Sequence, residues 1–192
     1  MQIAAVAAAT WTVAFSLGAQ TITVYVQNDA SMAASELCQA KSNAARIFAS
    51  AEVGIQWRKG EPRPIAPEEQ RPIVVLIVSD MSSVHPGALA FAQAYEGIHV
   101  TILYERVRAF NSERPQVILT YVLVHEITHM LQGISRHSET GIMKAHWNWV
   151  DHYAMGRGRL LLSAEDIQLI HLGLAARTSR LLTAGYRPPA AR

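Results

Sequence analysis

His125-Glu126-Ile127-Thr128-His129 fits the pattern H-E-x-x-H, and it lies inside a run that reads as one long apolar helix. Pro115 suits the first turn of that helix and Gly133 its stop. Residues four apart stand one above the other on a helix, so both imidazoles reach the same point in space. Metal–nitrogen bonds of about 2.0–2.1 Å require two rings to converge, and a rigid helix arranges this cheaply. Glu126, next to the first ring, can lean toward an open coordination position and take a proton from water there. The alternative is an amphipathic helix with incidental polar residues. Val117 to Val124 is almost wholly apolar, so His125 and Glu126 enter a helix that should be buried. Burying two histidines and a carboxylate without partners is costly, and a single metal ion explains all three.

A catalytic zinc takes three protein ligands and keeps one position for water. Downstream candidates are His137, Glu139, His146, Asp151 and His152. Gly133 breaks the helix just after His129, and a turn of three residues can bring His137 back under the metal, with Glu139 as runner-up. His85, His99 and His171 are scattered and read as ordinary histidines.

Outward from the helix, Thr21 to Val26 and Ile55 to Trp57 read as strands, and the apolar run Ile73 to Val78 as a strand buried on both faces. Ala88 to Tyr95 and Ile98 to Tyr104, joined around Glu96-Gly97, read as two more. Between the first two strands the pattern is helical to Val53, with Asn28, Asp29 and Ser31 as candidate N-caps and Gly54 as the stop. Glu61 to Pro72 carries four prolines and reads as a loop. Ile134 to Leu162 shows no regular period. Ser163-Ala-Glu-Asp166 reads as the N-cap of a closing helix, and Gly185 to Arg192 as a frayed tail. The lone cysteine, Cys38, excludes an intrachain disulfide and reads as a small buried residue.

The 192 residues, half hydrophobic and 17% charged, suit one globular domain and not a disordered chain. A formal charge of +2 with scattered Lys and Arg implies no nucleic-acid partner. No charged side chain precedes Asp29, and Ile3 to Leu17 is almost wholly apolar. Residues 1–19 therefore read as an export signal, with an uncleaved membrane anchor as the alternative. The expectation is one catalytic domain over 20–192, with an upper part at 20–133 and a lower part at 134–192. No stable membrane partner is expected unless the leader is kept.

The stretch His125 to Met143, HEITHMLQGISRHSETGIM, resembles the metzincin zinc peptidases, in particular their matrixin-like branch. Ala45 to Phe48 with Val53 to Trp57, Gly87 to Ala92 with Gly97 to Val100, and Leu162 to Ile167 are similar to further family segments in the same order. The resemblance implies metal ligands His125, His129 and His137, general base Glu126, a helix-ending Gly133 and a floor beneath the imidazoles at Met143. It also implies that Ala88, Leu89, Ala90 and Phe91 belong to an edge strand that binds an extended peptide by main-chain hydrogen bonds. Lys144 to Trp149 would then wall the pocket, with Trp147 or Trp149 shaping it.

Three residues separate His129 from Gly133, and three more separate Gly133 from His137, where the family's usual motif has two in each gap. This H-E-x-x-H-x-x-x-G-x-x-x-H spacing resembles a variant found in compact bacterial proteins. Phe91 stands where matrixins carry a structural-zinc histidine, so one zinc ion is expected and no second. No cysteine-switch segment is seen before the domain, so that latency device is expected to be absent. The implied fold is α/β and zincin-like. It has a twisted, mostly parallel sheet of five strands with one antiparallel edge strand, packed on two helices, and a small irregular C-terminal part ending in a helix. The implied function is a zinc endopeptidase acting on peptide or protein substrates, as a monomer. The alternatives are a zinc hydrolase of a non-peptide amide and a binding module that keeps the fold without turnover.

Overall fold

The computed structural model of the protein describes residues 20–62, 72–79, 87–92 and 98–185. The leader at 1–19, most of the proline-rich loop, His85 and the tail after Gly185 lie outside them.

Five strands form one sheet: β1 (Gln20–Asn28), β2 (Val53–Lys59), β3 (Ile73–Val78), β4 (Ala90–Ala92) and β5 (His99–Leu103). Their order is β2-β1-β3-β5-β4, with every pairing parallel except the last, where β4 runs antiparallel to β5 as the edge. Among the described residues there are also five helices: α1 (Ala34–Ser50), α2 (Tyr104–Phe110), α3 (Pro115–Gln132), α4 (Trp149–Gly156) and α5 (Ala164–Gly185). The mostly parallel sheet with its antiparallel edge is the expected α/β arrangement.

Alternation along β1 sends Ile22, Val24 and Val26 into the core while Thr23, Tyr25 and Gln27 stay half-exposed. The central strand β3 buries Ile73, Val75 and Ile77 completely, but Leu76 and Val78 on its other face are only partly covered. Helix α3 fills the space beneath the sheet, and Ile118 to Gln132 is buried at every position. Phe48 of α1 and Leu119, Leu123 and Ile127 of α3 are wholly shielded and belong to the same core. Pro115 opens α3, and Gly133 ends it in the left-handed region (φ 70°), its N–H donating to the His129 carbonyl at 2.9 Å.

The two long helices α3 and α5 meet backbone to backbone. A Cβ on Gly173 of α5 would stand 2.0 Å from the Leu131 carbonyl oxygen, so only glycine permits this approach. Helix α5 starts as expected: Ser163 Oγ accepts from the Asp166 N–H, and the Asp166 carboxylate accepts from the Ser163 N–H. Among the described residues no helix is long and apolar enough to cross a membrane.

Several expectations need correction. Helix α1 has Ala33 as N-cap with no side-chain cap, because Asn28 is used earlier, in a turn where its Oδ1 accepts from the Ala30 N–H. The helix ends at Ser50, not Val53. The reversal falls on Ala51 and on Glu52, which adopts φ 59°, and Gly54 already lies in β2. Cys38 is exposed, since the buried stripe of α1 is Ala40, Ala44 and Phe48, and position 38 is turned about 200° from Ala40. Tyr104 opens α2 and does not close a strand; its hydroxyl donates to Glu36 at 2.6 Å, and burial together with that carboxylate pushes its pKa up to about 12. The stretch 134–162 contains α4, started by a capping box between Asn148 and Asp151.

Candidate metal centre

The last two turns of α3 carry His125 and His129 on one face. Their Nε2 atoms are 3.1 Å apart and their rings cross at 75°. After Gly133 the chain returns and brings His137 to both, with ring centroids 5.3 Å from His125 and 5.0 Å from His129. One nitrogen from each ring lies within 4.8 Å of the others, and among the described residues this is the one group of three or more such side chains able to hold a metal ion.

The backbone sets the tautomer of the two helical rings. Nδ1 of His125 lies 2.9 Å from the Ile142 carbonyl and Nδ1 of His129 lies 3.1 Å from the Ile134 carbonyl. A carbonyl can only accept, so each Nδ1 carries the proton and each Nε2 presents a lone pair. Two lone pairs then face each other at 3.1 Å, which no hydrogen bond between them relieves. A cation bridging two ligands at tetrahedral positions would hold them about 3.3 Å apart, so this donor set fits one.

Electrostatics favour the same state. Burial lowers the pKa of His125 to about 4, against the opposing pull of the Ile142 bond. Burial also lowers His129 and His137, and the neighbouring imidazoles push in the same direction. All three rings are therefore neutral at pH 7, as ligands must be. Glu126 is buried too, and desolvation alone pushes its carboxyl up to about 8.

Around the cluster, Trp147 stands edge-on to His125 at 5.7 Å and donates its Nε1–H to the same Ile142 carbonyl at 3.0 Å. Met143 is fully buried, and its carbonyl accepts the Ser138 N–H at 2.8 Å. The other candidate ligands do not join. Glu139 and His146 are exposed outside the cluster. Asp151 accepts from Lys144 and caps α4. His152 packs against Phe110, with ring centroids 4.6 Å apart. Trp149 is largely exposed, and His99 and His171 lie on β5 and α5 away from the three rings.

At the sheet edge the Leu103 N–H donates to the Leu89 carbonyl at 2.9 Å, in the register that pairs Ala90 with Ile102 and Phe91 with Thr101. In antiparallel pairs hydrogen-bonded and non-bonded positions alternate, so the main-chain groups of Ala90 and Ala92 point away from β5. Leu89 is spent on β5, and the Ala88 carbonyl accepts from Arg106 Nη1 at 2.9 Å. Of the four residues expected at this edge, Ala90 is one whose main-chain groups face away from β5, as do those of Ala92.

Three contributors escaped the sequence reading: the carbonyls of Ile134 and Ile142, and the buried carboxylate of Asp166. The first two have no side-chain signature. Asp166 was visible as a helix cap, but its contacts with the loop carrying His137 required the fold.

No protein family's profile matches the chain, and no curated protein matches it in sequence. Among solved structures it is similar to the archaemetzincin of Methanopyrus kandleri, with a TM-score of 0.58 and 13% identity, covering 84% of this chain and 99% of that one. It is also similar to the archaemetzincin of Archaeoglobus fulgidus, complexed with malonate, with a TM-score of 0.52 and 12% identity, covering 77% of this chain and 99% of that one. At such identity the likeness establishes the fold: a mixed five-stranded sheet of the zincin kind.

Proposed function

We propose that the protein is a zinc-dependent endopeptidase in which His125, His129 and His137 hold one ion and Glu126 is the general base. The observation that carries this reading is the pair of Nε2 lone pairs facing each other at 3.1 Å, with the third imidazole beside them. The likeness in fold to two archaemetzincins supports it.

When bound, zinc supplies a positive charge that acidifies a water molecule and polarises the scissile carbonyl. The remaining steps belong to the chain itself. Glu126 becomes ionised at neutral pH when positive charge gathers beside it, reversing the upward push of burial. Its carboxylate accepts a proton from the attacking water and passes it to the leaving amine nitrogen. Ala90 and Ala92 offer their outward main-chain groups to an extended peptide, which adds to the sheet as a strand. Met143 packs beneath the imidazoles, and Trp147 limits the movement of His125. Residues 1–19 direct export, so the mature chain begins near residue 20.

The test is zinc stoichiometry of the purified chain together with cleavage of a denatured protein. The wild type should bind one ion, His137→Ala should lose it or hold it weakly, and Glu139→Ala should retain it. Glu126→Ala should keep zinc and lose cleavage; loss of zinc from that variant would make Glu126 a ligand and overturn its role as base.

A further inference from the structure

Resting on the ligand assignment above, we propose that Asp166 is a positioning residue for His137, acting by gripping both of that histidine's chain neighbours. Asp166 is at the third position of α5 and only 1% exposed. Its two oxygens have separate duties. Oδ2 accepts from the Ser163 N–H at 3.3 Å and from the Ser163 hydroxyl at 2.6 Å, which closes the start of the helix. Oδ1 faces the other way, accepting from the Ser138 hydroxyl at 2.5 Å and from Arg136 Nη1 at 3.5 Å. Residues 136 and 138 flank His137, so one carboxylate oxygen restrains the chain on both sides of it.

The surroundings extend that grip. Arg136 also pairs through Nη2 with Glu165, the residue before Asp166, at 2.5 Å. Gln132, the last residue of α3, donates from Nε2 to the Asp166 main-chain carbonyl at 3.2 Å. The start of α5 is thus tied to the end of the helix that carries His125 and His129 and to the loop that carries His137.

The loop needs such an anchor. Residues 134–137 form no helix or strand, and His137 is exposed, so burial does not fix its ring. Three residues stand between Gly133 and His137, and each one not held by a ladder is free to move unless a side chain restrains it. His129 restrains the loop at Ile134, and Asp166 restrains it at 136 and 138.

Because the two oxygens do different work, the cap and the tether can be cut separately. In the full chain, Arg136→Met with Ser138→Ala removes the tether and leaves the cap, and Ser163→Ala removes the side-chain half of the cap and leaves the tether. Zinc affinity is read by competition with a chromophoric chelator, and thermal unfolding of the metal-free protein is read in parallel. The tether variant should bind zinc about 10–100-fold more weakly, the range for lost outer contacts to a metal site. Adding His137→Ala to it should cost less than the same change costs in the wild type, because a ring no longer held in place has less to lose. Ser163→Ala should lower the unfolding temperature and leave zinc affinity within about twofold.

Unchanged affinity in the tether variant overturns the proposal, as do losses from tether and His137 that add in full. If His137→Ala alone leaves the affinity of the wild type intact, the ligand assignment fails and this proposal falls with it, a result separate from the first two.

Discussion

Replacing Glu126 by glutamine should remove a descending limb from the pH dependence of stability of the metal-free protein. The carboxyl has a pKa of about 8 when folded, against an ordinary value of 4.5. Its folded form holds the proton more tightly than the unfolded chain does, so its contribution is complete below pH 4.5 and is lost as pH rises through 8. The histidines have the opposite sign. His125 is lowered from 6.5 to about 4, and His129 and His137 are lowered too, so they destabilise the fold as pH drops below 6.5 and contribute no slope above it. Between pH 6.5 and 8 the buried carboxyl therefore acts without opposition from them. At about 1.4 kcal/mol per pH unit, and counting half-titration at the upper end, the wild type should lose roughly 1.5 kcal/mol relative to Glu126→Gln across that window. Urea unfolding of both proteins in excess chelator, at several pH values across the window, measures the difference, from which the other ionisable groups cancel. A difference flat to within about 0.5 kcal/mol would show that the carboxyl is hydrated in the folded state and would refute the reasoning.

Gly173→Ala should cost about 3 kcal/mol, visible in thermal unfolding, because the new methyl meets only backbone atoms of Leu131 and Gln132 that cannot step aside; wild-type stability there would refute the close approach of α3 and α5. Phe48→Ala should cost about 3–5 kcal/mol through the cavity left in a fully buried site, measured by urea unfolding. Ala90→Pro deletes an N–H that points away from β5, so the sheet should persist while the KM for a peptide substrate rises several-fold. The same change at Phe91 removes a hydrogen bond to β5 and should lower the unfolding temperature as well.

Much of this architecture could be read from periodicity because the physics there is local. His125 and His129 share a face by helix geometry alone, and Gly133 ends the helix because it takes up a left-handed conformation. The apolar runs 21–26 and 73–78 became strands near their expected limits. Reading failed where a short element relies on tertiary contacts. Helices α2 and α4 have seven and eight residues, too few for a clear period, although Asn148 and Asp151 spelled out a capping box. The start of α1 misled because Asn28, a good N-cap by type, serves a preceding turn. Cys38 followed composition when the buried stripe of α1 ran elsewhere. At the site, side chains were legible and main-chain acceptors were not: neither Ile134 nor Ile142 suggests from its identity that its carbonyl orients an imidazole.

One carbonyl oxygen, that of Ile142, receives both the Nδ1–H of His125 and the Nε1–H of Trp147. The indole and the imidazole therefore share one acceptor, and a change at His125 is expected to alter the hydrogen bond made by Trp147. If the proposed ion fills the centre, Trp147 emission should change, and stopped-flow fluorescence would follow that filling without an attached dye.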